Sequence, residues 1–405
     1  MFDATKIRKD FPSLSLTIEG KRNTYMDTAA SAQKPLYVLE RIQRMYIEEY
    51  ANVHRGSYWL SERATENYET ARKTVAQFIN AKDKREIIFT RNATEGINLV
   101  AATWGQHNLK SGDEILLSRA EHHANLVTWQ QWALKTGATV KYFDLAEDGS
   151  FVFDNFMKAL SHKTKIVAVT AMSNVLGTIF PIKKISEEAH KIGAKVMIDA
   201  CQFAVHKKID VQDLDCDFLA FSGHKVYGPT GIGILYGKYD LLANMPPYQF
   251  GGDMIEHVKY DSTTFALPPA RFEAGTPAIV QAVGLGAALE YLNKFDFDEI
   301  EAYEQELIRY TTAKMMEVPN LKIIGTAADK GGVFSFAIQN IHPQDLAFVL
   351  GKEGVAIRTG HFCAEPLVNY LGYTSLARAS LGIYSTKEDV DEFINALYKA
   401  INFFK

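Results

Sequence analysis

Two runs, Lys195-Val196-Met197-Ile198-Asp199 and, shortly after it, Asp217-Phe218-Leu219-Ala220-Phe221-Ser222-Gly223-His224-Lys225, decide the fold. Each begins as a short apolar strand and ends in polar residues. The apolar parts do not alternate, which is the pattern of strands buried on both faces of a parallel sheet. Asp199 closes the first strand, and the glycine loop carrying Ser222, His224 and Lys225 closes the second. Open parallel sheets bind ligands at the carboxyl ends of their strands. The two runs therefore predict an α/β fold with a site at that edge.

The pattern extends outward. Further strands read at residues 86–90, 114–118, 139–143, 165–170 and 231–236, with helices from 94, at 124–135 and at 182–192 between them. Strands separated by helices of that size predict βαβ units and a mostly parallel sheet. Residues 36–50 and 62–79 carry apolar side chains at helical spacing ahead of the sheet. Composition shifts near Gly251-Gly252 and Pro268-Pro269. Beyond it, helices at 279–292, 300–316, 344–350 and 387–403 mix with strands at 321–324 and 333–338, which predicts a smaller α+β domain starting between 260 and 280.

The whole chain of 405 residues is ordinary in composition, 47% hydrophobic and 23% charged. Low-complexity and collagen-like classes are out. Lys and Arg total 44 against 48 Asp and Glu, a net charge of -4 with no basic block, so no nucleic-acid partner is expected. No apolar run reaches membrane-helix length, and the N-terminal stretch is charged and unlike a secretory signal. The three cysteines, Cys201, Cys216 and Cys363, are too few and too scattered for a disulfide framework or a metal site. A cytoplasmic setting is expected. Cys201 and Cys216 lie in or beside apolar strands and read as inert core thiols. Cys363 lies in a polar loop with Arg358 and His361 nearby, neighbours that can lower a thiol pKa.

Taken alone, the Lys225 loop reads equally as a surface turn, and Asp199 as a helix cap. Together they meet the needs of pyridoxal phosphate: a lysine able to form a Schiff base and an acid able to keep the pyridine nitrogen protonated. Residues 91–98 follow a strand and open a helix, whose first N–H groups form a ready phosphate site with the Thr94 hydroxyl. The histidine pair His122-His123 follows the strand at 114–118, where a ring could lie over a bound cofactor. Arg378 has the chemistry to grip a substrate carboxylate.

Eight segments in order extend this reading. They are Asp27-Thr28-Ala29-Ala30-Ser31, Val53-His54-Arg55-Gly56, Thr94-Glu95-Gly96-Ile97-Asn98, Glu121-His122-His123-Ala124-Asn125, Ser173-Asn174-Val175-Leu176-Gly177, Ser222-Gly223-His224-Lys225, Arg271-Phe272-Glu273-Ala274-Gly275-Thr276-Pro277 and Arg358-Thr359-Gly360-His361-Phe362-Cys363. The chain resembles the SUF-type, or group II, cysteine desulfurases from its N-terminus to its last helix.

The resemblance implies a class V aminotransferase-like enzyme of pyridoxal-phosphate fold type I, working as a homodimer. Its large domain would hold a mostly parallel seven-stranded sheet. The implied divisions are an N-terminal segment 1–20 packing on the small domain, a large cofactor domain 21–270 and a small domain 271–405 carrying the thiol loop. Lys225 would be the Schiff-base lysine, Asp199 the partner of the ring nitrogen and Gln202 that of the ring hydroxyl, with His122 stacked on the ring. Thr94, Glu95, Ser222 and His224 would serve the cofactor, with Thr276 contributed by the neighbouring subunit. Asn174 and Arg378 would hold the substrate carboxylate, with Arg55 reaching across the dimer interface. Cys363 would accept sulfur from L-cysteine as a persulfide, releasing L-alanine, and pass it to a small acceptor protein for iron–sulfur cluster assembly. L-Selenocysteine is a further expected substrate. Many relatives carry a second histidine before the cysteine; here Phe362 takes that place, which shifts thiol activation onto His361. Other class V enzymes, such as aminotransferases or kynureninase-like hydrolases, need no thiol there, and a non-catalytic sulfur-carrier scaffold needs neither Lys225 nor Asp199.

Overall fold

A computed structural model describes residues 2–405. Its largest element is a seven-stranded sheet. In spatial order the strands are Ile87–Thr90, Gly233–Gly237, Phe218–Ser222, Lys195–Asp199, Thr164–Thr170, Glu114–Ser118 and Thr139–Phe143. Gly233–Gly237 runs antiparallel to both its neighbours, and the other pairings are parallel. The central strands are buried on both faces, in keeping with their unbroken apolar runs. Five strands run in the same direction into polar loops at 91–94, 119–123, 171–174, 200–202 and 223–225. Their carboxyl ends thus deliver the predicted motifs to one edge.

Helices cover the sheet. Ile279–Leu292 is buried along nearly its whole length, and its glycines explain how. A Cβ on Gly284 would stand 2.8 Å from Ile42 Cγ1, and one on Gly286 2.9 Å from the Ala71 Cβ. The bare backbone lets this helix lie against Leu36–Glu48 and Trp59–Phe78. It therefore packs with the sheet's helices, and the long helix Phe297–Met316 follows it.

A second core gathers Met26 with apolar side chains from Leu307 to Ile401. It is built on an antiparallel sheet ordered Leu321–Ile324, Val333–Ile338, Leu376–Ser380 and Arg358–Gly360, with Lys387–Phe403 packed nearby. Thr24–Tyr25 pairs in parallel with Val355–Ala356, and Asp27 bridges to Ser380. The chain's beginning is thus stitched to this distant sheet. Arg8 adds an ion pair to Asp389 at 2.9 Å.

Candidate active site

A cavity of about 310 Å³ opens at the carboxyl edge of the large sheet. Its wall includes Thr94, His122, Asn174, Asp199, Gln202, Ser222, His224 and Lys225 from the large sheet's loops, and Cys363 and Arg378 from the smaller sheet. Ten of the thirteen expected site residues therefore meet in one place, although they span most of the chain.

Lys225 is a strongly perturbed base in the cavity. Its Nζ donates to the Ala29 carbonyl, and burial lowers its pKa to about 8. No carboxylate lies in hydrogen-bond contact with it, so a large share of the amine is neutral near pH 8. Asp199 is fixed by the Cys201 N–H, which donates to Oδ1 at 3.0 Å. Gln202 Nε2 donates to the same Ala29 carbonyl at 2.8 Å. Ser222 Oγ accepts the Ala93 N–H at 2.9 Å, which locks the lysine loop to the helix Ala93–Val100. Asn92 caps that helix through the Glu95 N–H at 2.9 Å. Burial lowers the His224 pKa to about 4, and its Nδ1 lies 3.2 Å from Ser31 Oγ.

His122 caps the helix His123–Thr136, its Nδ1 accepting the Ala124 N–H at 3.0 Å. That bond leaves the ring proton on Nε2, and burial lowers the ring's pKa, which keeps it neutral. The preceding Glu121 is fully enclosed. It accepts from the Asn125 side chain at 2.8 Å, the Thr170 N–H at 3.1 Å and the Ser118 hydroxyl, and burial pushes its pKa up to about 7.

The thiol loop is exposed at Cys363 yet tightly held. Phe362 and Cys363 both adopt left-handed backbone, at φ 55° and 56°. Three bonds hold them there. Asn174 Nδ2 donates to the Phe362 carbonyl at 2.7 Å, the His123 N–H to the Cys363 carbonyl at 2.7 Å, and the Glu365 N–H to His123 Nε2 at 3.0 Å. His361 Nε2 lies 2.7 Å from the Thr374 carbonyl. Two arginines, Arg358 and Arg378, line the same cavity as Cys363.

Those arginines stand directly opposite each other on paired strands. Like charges in that register repel, and Asp27 resolves it. Its carboxylate accepts from Arg358 Nη2 at 3.0 Å and lies 3.6 Å from Arg378 Nη2. Arg378 is only 2% exposed, donates through Nη1 to the Asn174 carbonyl at 2.9 Å, and leaves Nε buried without a partner. An orphaned guanidinium N–H beside a cavity suits an incoming carboxylate.

Three expected residues lie elsewhere. Arg55 is 65% exposed and paired with Asp253 at 2.9 Å. Glu95 accepts the Arg91 N–H at 2.6 Å and, with Thr276, lines a separate cleft beside Phe272 and Glu273. Cys201 packs against the core, as an inert thiol should, but it also lines the cavity between Asp199 and Ser222, which the sequence reading did not place there. Burial raises its pKa well above that of an ordinary thiol, so it stays protonated. Cys216 is buried in the core as expected. Sequence reasoning also missed Asp27 as an active member of the site; two arginines on neighbouring strands with no nearby acid were the available signal.

The residues fit pyridoxal phosphate. A buried amine free of carboxylate contact, an aspartate at a strand end and an unpartnered guanidinium N–H share one cavity. The Ser222 hydroxyl and the first turn of a helix line the same wall.

Comparison with known proteins agrees. Over residues 24–393 the chain matches the family described as aminotransferase class-V. It is 48% identical over 404 residues to a probable cysteine desulfurase of Synechocystis sp., covering 99% of this chain and 96% of that protein. The structure of the Escherichia coli cysteine desulfurase CsdA in its S-sulfonic acid form superposes with a TM-score of 0.92 at 39% identity, covering 100% of this chain and 99% of that one. The apo cysteine desulfurase of Thermococcus onnurineus NA1 gives 0.93 at 36% identity, covering 98% of each chain. The chain belongs to the class-V aminotransferase family, on the fold that binds pyridoxal phosphate. Within that family it stands with the cysteine desulfurases.

Proposed function

We propose that the protein is a pyridoxal-phosphate-dependent cysteine desulfurase that moves the sulfur of L-cysteine onto Cys363 and releases L-alanine. The observation that carries this is the meeting of Lys225, Asp199 and Cys363 in one cavity. Lys225, Asp199, Gln202 and His122 would hold the cofactor's ring, and Thr94, Ser222 and His224 its phosphate. When bound, the cofactor acts as an electron sink that makes the substrate Cα–H acidic and weakens the substrate C–S bond.

The chain's own residues supply the rest. Arg378 and Asn174 seat the substrate carboxylate. Lys225 Nζ, its pKa lowered to about 8, takes the Cα proton. The Cys363 thiolate attacks the substrate sulfur, so an S–S bond forms as the C–S bond breaks. The bond's electron pair leaves with the three-carbon fragment, which is protonated to alanine. Thiol plus cysteine thus becomes persulfide plus alanine, and no outside oxidant is needed. His122, neutral with its proton on Nε2, is placed to assist proton movement.

Cys363 is exposed, which suits transfer of its sulfur to a small acceptor protein and so to iron–sulfur cluster assembly. L-Selenocysteine suits the same pocket. No helix among the described residues is long and apolar enough to cross a membrane, and three free thiols suit the cytoplasm. Arg55 and Thr276, both exposed and outside the cavity, suit a homodimer in which each subunit completes the other's site.

Mass spectrometry of the Cys363 peptide after incubation with L-cysteine tests the assignment. The wild-type protein is expected to carry an added sulfur atom. Cys363→Ala is expected to keep the cofactor absorbance while alanine release falls at least a hundredfold. A Cys363→Ala enzyme with full desulfurase activity refutes the proposal.

A further inference from the structure

We infer that Phe362 is a positioning residue, which registers the thiol loop on the carboxylate-binding arginine, so that a carboxylate seated at Arg378 fixes where Cys363 stands. The inference rests on the desulfurase reading and adds a link between substrate seat and nucleophile.

Three contacts close a ring of residues. The Phe362 side chain lies against the Arg378 guanidinium, 4.7 Å from ring centroid to Cζ. Arg378 Nη1 donates to the Asn174 carbonyl at 2.9 Å. Asn174 Nδ2 returns to the Phe362 carbonyl at 2.7 Å. Each member therefore holds the next, and Cys363 is bonded directly to one of them. Phe362 is 8% exposed and Arg378 2%, so the cation–aromatic contact is desolvated, the setting in which it is strongest. The guanidinium plane is further limited by Asp27 on its Nη2 side, leaving Nε as the free donor.

The loop's backbone explains why such a clamp is needed. Successive left-handed residues with side chains are disfavoured and persist only when surrounding contacts hold them. The His123 N–H and Asn174 hold the carbonyls, while the Phe362 ring is the side-chain contact that reaches Arg378. An imidazole at this position offers a smaller face and two polar nitrogens. A phenyl ring gives up proton chemistry and presents an apolar face to the cation.

The test compares Phe362→Leu and Phe362→Tyr holoenzymes with wild type. One readout is KM against kcat for L-cysteine. The other is the rate at which iodoacetamide alkylates Cys363, followed on its own peptide, with and without L-alanine as a sulfur-free carboxylate probe. The expected result is a KM about tenfold higher for Phe362→Leu and within about threefold of wild type for Phe362→Tyr. L-Alanine is expected to slow Cys363 alkylation severalfold in wild type and Phe362→Tyr, and to have no effect in Phe362→Leu. If Phe362→Leu does not fold, Phe362→Met, ringless at similar volume, takes its place. The inference is overturned if the ringless variant keeps the wild-type KM and alanine response, if L-alanine leaves wild-type alkylation unchanged, or if a folded Phe362→Tyr fails as badly as the ringless variant. The alkylation readout needs no turnover. A wild-type protein that makes no persulfide but shows the ring-dependent alanine response would sink the desulfurase reading and leave the Phe362 link standing.

Discussion

Lys225 shows how much chemistry a single enclosed amine can hold. Its pKa in the folded protein, about 8, lies below the 10.5 of an unperturbed lysine. Between those values the unfolded chain binds more protons than the folded one, so stability of the cofactor-free protein rises as pH climbs from 8 to 10.5. Below 8 the full cost of burying the ammonium is present, on the order of 3 kcal/mol. Denaturant unfolding of the apoprotein at pH 7 and pH 9.5 is expected to show this rise. Lys225→Met is expected to be more stable than wild type at pH 7 and to show a smaller rise between the two pH values, the remainder coming from Lys34 and Lys330, whose burial also lowers their pKa to about 8. Lys225 and Asp199 were legible in the sequence because each ends an apolar run, and such ends converge in a parallel sheet. Asp27 and Cys201 were not. The role of Asp27 comes from two arginines brought into register by strand pairing, and that of Cys201 from the direction in which the strand-end loop turns. Neither has a local signature.

Between elements, the contact that does most to place the glycine segment 273–276 is ionic. Glu273 accepts from Arg72 at 2.6 and 2.9 Å, from the Tyr68 hydroxyl at 2.9 Å and from the Phe89 N–H at 2.7 Å. It joins the helix Trp59–Phe78, the first strand of the large sheet and the segment that carries Thr276. Arg72 is nearly fully buried, and the carboxylate keeps it firmly protonated by offsetting its burial. Removing one partner of such a pair leaves a buried charge unmatched. Glu273→Ala is therefore expected to destabilise the protein by about 3–5 kcal/mol, read as a lower denaturant midpoint. The strands and long helices were legible because apolar periodicity is a local property; the large sheet's strands fall within two residues of expectation. The hairpin Ile255–Val258 with Thr263–Phe265 was not foreseen, since its strands are mostly exposed and carry no alternating apolar face. The pairing of Thr24–Tyr25 with Val355–Ala356 joins segments whose match is set by tertiary packing alone.

For the whole molecule, the outstanding surface feature is apolar. Tyr46, Ile47, Tyr50, Tyr58 and Trp59 are all exposed, on and between the two helices that flank Arg55. Tyr46 and Tyr50 lie with ring centroids 5.6 Å apart, and exposed large apolar side chains gathered on neighbouring elements are a feature of protein interfaces. A second copy covering these side chains would carry each Arg55 towards a neighbouring subunit. The 405-residue chain is expected to sediment as a dimer. Ile47→Glu combined with Trp59→Glu is expected to give a folded monomer with desulfurase activity reduced at least tenfold. A wild-type monomer with full activity, by analytical ultracentrifugation and alanine release, would remove the basis for shared sites. This level was the least legible from the residues alone. Apolar side chains at helical spacing look the same whether they face a core or a partner.

The seam between the first thirty residues and the distant sheet bears on how the gene can be divided. Thr24–Tyr25 supplies a strand to a layer encoded some three hundred codons later, and Ala29 then enters the pocket as the acceptor for Lys225. A coding sequence cut between residues 260 and 280 would not yield two self-sufficient polypeptides. The upstream piece would display an unpaired strand, and the downstream piece would lack the partner of Val355–Ala356. Co-expressed, the pieces would have to find one another before either had a finished interior. A working pocket would then report that reunion, as in a split reporter.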